Sequence, residues 1–429
     1  MTSLEELNNR KYNIPIKMDE YNPEYEAVGI DLGTTECCAA VIRRNGVEFV
    51  QLDPIVSTSR TMPFFVAYDE KREKCGQIAV NRLRTKSKYV IFDSKRIIGK
   101  DFKDIIVDPL WPFKVTESDS KVQIELADRE IIKSPEAVSG ALLKHIKQKV
   151  DEFQGKLHDK VVIAIPSTFT PKQANATIEA AKIAGFKTIN FIPEPVAAAF
   201  AYCTKMDIPN HSKIFLFDCG GGTVDVCVAE IVDNQLNVLR YNGDSYLGGR
   251  DYDTLLLNHF HAVLKHKHNI DVMASTKKYV LMQKCKEIKC TLSAVESYWL
   301  DVDEYDPENK DDVIPITKKD FEEMAESIIH TVGPIICGEV TKEKQKNLYD
   351  CYMNSLIVAA ENDMRSIAFP AISTGIYGYP KYDAAVIATQ AVKDFLEDEK
   401  LSEKVDEVIF CVFGEEDEEI YKELIQVFQ

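Results

Sequence analysis

The chain has no apolar run long enough to span a membrane, no low-complexity tract and no short repeat. The first absence excludes a helical membrane protein. Its 11 cysteines contain no Cys-x-x-Cys pair and are odd in number. Several, such as Cys219, Cys227 and Cys411, sit inside apolar runs. That is the pattern of reduced, buried thiols in a cytoplasmic or nuclear protein, not of a disulfide framework. Basic residues are also short: 52 lysines and arginines stand against 69 acids, a formal charge of −17. This balance argues against nucleic acid and against an anionic membrane as partners. A phosphate ligand must then be held by local N–H groups, a metal and a few cations. The first 26 residues, MTSLEELNNRKYNIPIKMDEYNPEYE, lack the apolar core of a signal peptide. Residues 1–25 read as a flexible extension. Four histidines, His259, His261, His266 and His268, cluster without the i,i+4 pair of a helical metal site.

What is present is an ordinary globular composition, 45% hydrophobic and 28% charged over 429 residues, enough for two or three domains. From Ala27 on, strands and helices alternate, which implies an α/β protein with buried sheets. EAVGIDL is a strand ending in the turn GTT, and CCAAVIRR returns as a second strand. SPEAVSGALLKHIKQKV is a helix capped by Ser134, with Pro135 in its first turn and Val138, Leu142 and Ile146 on one face. A second helix starts at Thr170–Pro171 and runs through Ile183. KIFLFDC reads as a buried strand running into glycines. A boundary is expected at the acidic stretch Asp301–Asp312 or in the helix just after it.

Three loops follow apolar strands: Asp31-Leu-Gly-Thr-Thr35, Pro193-Glu-Pro195 and Asp218-Cys-Gly-Gly-Gly-Thr-Val-Asp225. Glycines let the backbone approach phosphate and supply N–H donors. An aspartate beside such a turn repels phosphate unless it holds a hydrated Mg²⁺ or orients an attacking water. One Gly-Gly-Gly is a weak signal; two Asp-x-Gly turns, each followed by Thr, are a strong one.

These residues carry a resemblance. GIDLGTTECC, FDSKRIIGK, VVIAIPSTF, INFIPEPVAAAFAY, LFDCGGGTVDV and DSYLGGRDYD, in that order, resemble the nucleotide-binding domain of seventy-kilodalton heat-shock chaperones, from Ala27 to Met324. The resemblance implies the actin-like ATPase fold, two lobes round a deep cleft, with ATP or ADP and Mg²⁺ as cofactors. By that resemblance Gly33, Thr34, Thr35, Gly220, Gly221, Gly222 and Gly249 contact phosphate. Asp31, Glu194 and Asp218 hold Mg²⁺ through water. Lys95, Glu194, Thr223 and Asp225 are catalytic, and Lys289 and Ser293 belong to the helix beside adenine. Co-chaperones and other proteins are the partner class.

The departures are specific. The family has Tyr where Glu36 stands and an acid where Lys286 stands. An arginine that stacks on the base is Cys290. An arginine that relays nucleotide state is Ala174, although Pro166 remains. The family's Gly-Gly-Ser-x-Arg adenosine loop and its peptide-binding domain are missing.

Beyond Ile328 the character changes. IIHTVGPI is a strand, and LYDCYMNSLIVAAEN is an amphipathic helix with Leu348, Tyr352, Leu356 and Ala359 on one side. IAFPAISTGIYGYP, DAAVIATQAVKDFLED, EVIFCVF and EEIYKELIQVF then alternate strand and helix. Together, from Ile329 to Phe428, they resemble the C-terminal half of a macro domain, the ADP-ribose-binding module. By that resemblance Ser373, Thr374, Gly375, Ile376, Tyr377 and Gly378 wrap the ligand's diphosphate, and Phe413 lies near it. The first half of that module has no counterpart here. The expected organisation is therefore an extension at 1–25, an incomplete nucleotide-binding domain at 26–326 and a half macro-like α/β/α segment at 327–429.

Three functions stay open. The favoured one is a Mg-ATP/ADP-binding protein of the chaperone type with weak ATP hydrolysis. The others are an ADP-ribose reader or mono-ADP-ribose hydrolase, and a non-catalytic interaction protein.

Overall fold

The computed structural model describes residues 11–15, 27–44, 46–56, 59–206, 208–306, 312–325, 339–361, 365–374, 379–398, 401, 403–412 and 415–426. The chain forms two compact units, Met1–Phe321 and Glu322–Gln429, in a mixed α/β architecture with several sheets.

The first unit carries two main sheets. One runs Thr188–Pro193, Lys160–Ile165, Val28–Leu32, Glu36–Arg43, Gly46–Phe49, with Met62–Pro63 also paired to Glu36–Arg43. Its first three strands are parallel, so Asp31, Ile165 and Pro193 end side by side. Ligands of open α/β sheets sit beyond such carboxyl ends. The helix Pro135–Gln154 begins where Ser134 caps it by accepting from the Ala137 N–H at 3.1 Å. Val138, Leu142 and Ile146 are fully buried, which is why the 3.6-residue apolar spacing forms a helix here. Pro171–Ile183 starts at a reciprocal cap: Thr170 accepts from Gln173 N–H and Gln173 Oε1 accepts from Thr170 N–H at 3.0 Å.

The second sheet is antiparallel throughout, in the order Lys11–Asn13, Gln235–Asp244, Val224–Val232, Lys213–Cys219. Two readings change here. Lys11–Asn13, inside the segment read as a flexible extension, is a strand paired with Gln235–Asn237. Lys213–Cys219 is not buried: Phe215 is 62% and Phe217 63% exposed. The physical reason is position. Among the described residues the strand lies at the sheet edge, and only Ile214 and Leu216 turn onto the cluster formed with Val196, Ala199 and Cys227. The parts of the chain built on these two sheets are called lobes I and II below.

Of the two boundaries expected, the acidic stretch falls within the first unit. Asp301 ends a strand, Ser297–Asp301, that pairs with Val313–Thr317 as a hairpin within the first unit. The division falls inside the following helix, Lys318–Ala325. In the second unit the helices Lys342–Glu361, Lys381–Glu397 and Glu415–Gln426 accompany a parallel pair, Ser366–Pro370 with Glu407–Cys411. Leu348, Tyr352, Leu356, Phe369, Phe395 and Tyr421 share one buried cluster. The strand expected at IIHTVGPI lies outside the described residues.

Candidate functional site

Asp31 closes its strand, and the chain turns at Gly33, where a side chain would overlap the Glu36 carbonyl. Only glycine fits so close a backbone approach. Thr34 and Thr35 follow, Thr34 buried. From lobe II comes the hairpin loop Gly220–Thr223, closed by Gly220 N–H to Thr223 O at 2.9 Å. The first residues of the helix Gly249–His268 hold it: Gly249 N–H donates to Gly220 O at 2.9 Å and Arg250 N–H to Gly221 O at 2.8 Å. The two loops touch. A methyl group on Gly221 would overlap the Thr35 side chain, and one on Gly222 would sit 2.8 Å from Thr34 Cγ2.

Lys95 lies on a one-turn helix, Ser94–Arg96, that follows the strand Val90–Phe92. Its Nζ donates to Glu194 Oε1 at 2.7 Å, both side chains largely buried. Burial opposes the lysine's charge, yet Glu194 and Asp31 outweigh it and raise the pKa. Burial raises the Asp31 pKa, with Glu194 and Asp218 adding to the shift against Lys95. Burial and then Glu194 raise Asp218. Three carboxylates thus crowd one lysine. Among the described residues no three His, Cys, Asp or Glu side chains are set to grip a metal ion directly. Asp225 is also raised by burial, and its Oδ1 accepts from Ser167 Oγ at 2.7 Å and Ser167 N–H at 3.2 Å.

Lys289 lies on the helix Lys277–Leu292, where its Nζ donates to Gly249 O at 2.7 Å and pairs with Asp253 at 2.7 Å. With Thr35, Gly221 and Gly249 it lines a cavity of about 260 Å³ beside the loops. Ser293 is not brought in: it is exposed and donates to Cys290 O at 2.6 Å on the same helix end. Ser373 and Thr374 lie in the second unit, Thr374 Oγ1 donating to Ala371 O at 2.9 Å and Ser373 at φ 66°. Gly375, Ile376, Tyr377, Gly378 and Phe413 lie outside the described residues.

Several contacts have no local signal in the sequence. Ser167 bridges the lobes to Asp225. Asp93, on lobe I, accepts from Arg250 at 3.1 Å and from Trp111 Nε1 at 3.1 Å. Glu36 and Lys286, both departures from the chaperone pattern, meet in one ion pair at 2.5 Å, and Thr61 donates to the other oxygen of Glu36. Burial would raise the Glu36 pKa, but Lys286 and Thr61 hold it below the usual range.

A family model described as Hsp70 protein matches residues 27–346. The chain belongs to the Hsp70 family. Similar proteins include a heat shock 70 kDa protein of Emericella nidulans, 34% identical over 316 residues, covering 72% of this chain and 48% of that protein. A heat shock cognate HSP70 protein of Trypanosoma brucei brucei is 33% identical, covering 70% and 46%. A human sequence named putative heat shock 70 kDa protein 7 is 32% identical, covering 73% and 86%. The chain spans about half the length of the fungal and trypanosome Hsp70 relatives. The Hsp70 match continues past residue 326, the boundary expected from the sequence, to 346. No helix among the described residues is long and apolar enough to cross a membrane.

Proposed function

We propose that the first unit binds Mg²⁺ with an adenosine di- or triphosphate in the cleft between its lobes, and that it hydrolyses the triphosphate weakly. The observation that carries this reading is the meeting of the Thr34–Thr35 and Gly220–Gly222 loops beside the Lys95–Glu194 pair. Backbone N–H groups of Gly33, Gly220–Gly222 and Gly249 and the hydroxyls of Thr34 and Thr35 would take the phosphates. Asp31, Glu194 and Asp218 would hold Mg²⁺ through its water shell, since hard oxygen donors suit that ion and it keeps several waters. Bound there, Mg²⁺ would neutralise phosphate charge. Lys95 would stabilise charge at the transferring phosphoryl group. Glu194, Thr223 and Asp225 would orient the attacking water. Lys289, already on Gly249, would meet the sugar next to the phosphates.

The touching loops require the lobes to part before a ligand enters. Residues 327–429 are read as the second half of a macro-like module, whose ligand would be ADP-ribose. Co-chaperones are the partner class proposed for the first unit. A calorimetric titration with Mg-ATP, Mg-ADP, Mg-GTP and ADP-ribose tests these readings. Binding of the Mg-nucleotides with little preference for adenine over guanine is expected, because Cys290 cannot stack on a base as an arginine would. ADP-ribose alone binding would replace the reading by the macro-type one. No binding at all would leave the interaction protein.

A further inference from the structure

We propose that the cleft reads a phosphoanhydride chain and not a base, so that inorganic tripolyphosphate with Mg²⁺ is a ligand and substrate in its own right. The proposal rests on the phosphate-binding reading of the loops and names the substrate class of that site.

The groups left open around the loops are donors. The N–H groups of Thr34, Thr35, Gly221 and Gly222 meet no backbone acceptor among the described residues. Consecutive N–H groups of this kind make a cradle for an anion. The cavity of about 260 Å³ beside the loops continues the pattern. Its lining sets Arg250, Lys286 and Lys289 against one acid, Asp253, which Lys289 already holds at 2.7 Å. Arg250 is 8% exposed. Its Nη1 donates to Asp93, whereas its Nη2 makes no hydrogen bond and stands 3.7 Å from Asp108. Gln283 Nε2 is buried and has no hydrogen-bond partner among the described residues. Lysine and arginine donate and never accept. This local excess of cations stands in a chain whose formal charge is −17.

A base asks for something else: a plane to stack on. On the helix Lys277–Leu292 the side chain next to Lys289 is Cys290, which has no plane. Ser293 is exposed and directs its hydroxyl to the Cys290 carbonyl. The ring in the cavity lining, Phe65, has one face stacked on Phe92, with centroids 5.0 Å apart. Lys289, which would meet a sugar, is matched as well by a further phosphoryl group. A chain of acceptor oxygens fits this set of donors, and a base adds little to it.

Cleavage needs no co-reactant but water. The oxygen of a water oriented by Glu194 and Asp225 attacks the terminal phosphorus. The bond from that phosphorus to its bridging oxygen breaks, and pyrophosphate leaves with the bridging oxygen and its electron pair. One proton of the water stays on the orthophosphate formed, and the other is released. Lys95 stabilises the charge on the phosphoryl group in transit.

The test is calorimetric titration of the full chain with tripolyphosphate, ATP and adenosine at equal free Mg²⁺, followed by orthophosphate release from each triphosphate. Tripolyphosphate should bind within about tenfold of ATP, ADP should displace it, and adenosine should not bind. K286Q should weaken tripolyphosphate and ATP by the same factor, about two- to fivefold, because the lysine is half exposed. Orthophosphate release from tripolyphosphate should run within about tenfold of that from ATP, and Lys95→Ala should abolish both. ATP bound more than about tenfold more tightly than tripolyphosphate, adenosine bound by itself, or tripolyphosphate left in place by saturating ADP would each overturn the inference while the nucleotide reading stands. Cleavage of ATP alone would overturn tripolyphosphate as a substrate. Binding of neither triphosphate would overturn the phosphate reading of the loops, and this inference with it.

Discussion

At the scale of single residues the site is governed by one lysine among acids. Removing Lys95 should leave phosphate contacts intact while removing the cation assigned to the transferring group. Lys95→Ala is expected to abolish ATP turnover while changing nucleotide affinity by less than about tenfold, and to lower stability by about 1–3 kcal/mol because Glu194 loses its partner. Single-turnover hydrolysis and urea unfolding measure the two effects; turnover surviving in the variant would refute the assignment. The raised carboxyls give a second expectation. Asp31, Asp218 and Asp225 bind protons more tightly in the folded chain than in the unfolded one. They therefore subtract stability at neutral pH, and the loss fades as pH falls through their raised folded values toward the ordinary 3.8. Mg²⁺ held through water by Asp31 and Asp218, as proposed, would favour their charged forms at neutral pH. The melting temperature should rise more on adding Mg²⁺ with ADP at pH 7.5 than at pH 5; an equal rise at both would remove Asp31 and Asp218 from the metal site. Lys95, Glu194, Asp31 and Asp218 are legible in the sequence because each ends an apolar strand or sits in an ordered motif. Ser167, Asp93 and Arg250 sit in the same motifs, but their contacts are not legible, since their partners lie 58 and 157 positions away.

At the scale of elements, helices are the most legible because their signals are local. The cap at Ser134 with the apolar face it opens, and the helix start at Thr170–Pro171, are found as read. Strand burial is less legible, because it depends on neighbours that a local window does not contain. KIFLFDC has the composition of an interior strand, yet its outer edge is unpaired among the described residues, and Phe215 and Phe217 face water. A long apolar edge is a template for pairing with another chain. Phe217→Lys should therefore reduce self-association measured by sedimentation, at a stability change within about 0.5 kcal/mol, since the ring is exposed. Unchanged association in this variant would show that the strand is covered in solution. Asp301–Asp312 shows the same dependence on neighbours: its acidic composition offers a boundary, but Asp301 pairs with Val313 inside the first unit, and the division falls in the following helix, the other place expected.

At the scale of the whole molecule, the order of the motifs carries the Hsp70 assignment and the place of the cleft, because each motif is a strand end with its own turn. The division of the chain is set instead by which buried clusters close on themselves. Every residue assigned to nucleotide lies at or before Ser293. The hairpin Ser297–Thr317 and the ring contact of Phe321 with Tyr252 also belong to the first unit. The second unit keeps its own cluster around Tyr352, Phe369 and Phe395. Cutting after Ala325 spares the helix Lys318–Ala325 and removes none of the groups that would touch phosphate, sugar or metal. The fragment 1–325 is thus expected to be folded by circular dichroism and to bind Mg-ADP within about threefold of the full chain, a difference of about 0.7 kcal/mol. Calorimetry on both proteins at the same Mg²⁺ concentration measures this. A folded fragment that binds more than tenfold more weakly would mean that residues 326–429 contribute to the nucleotide site. An unfolded fragment would mean that the first unit needs them to close its core.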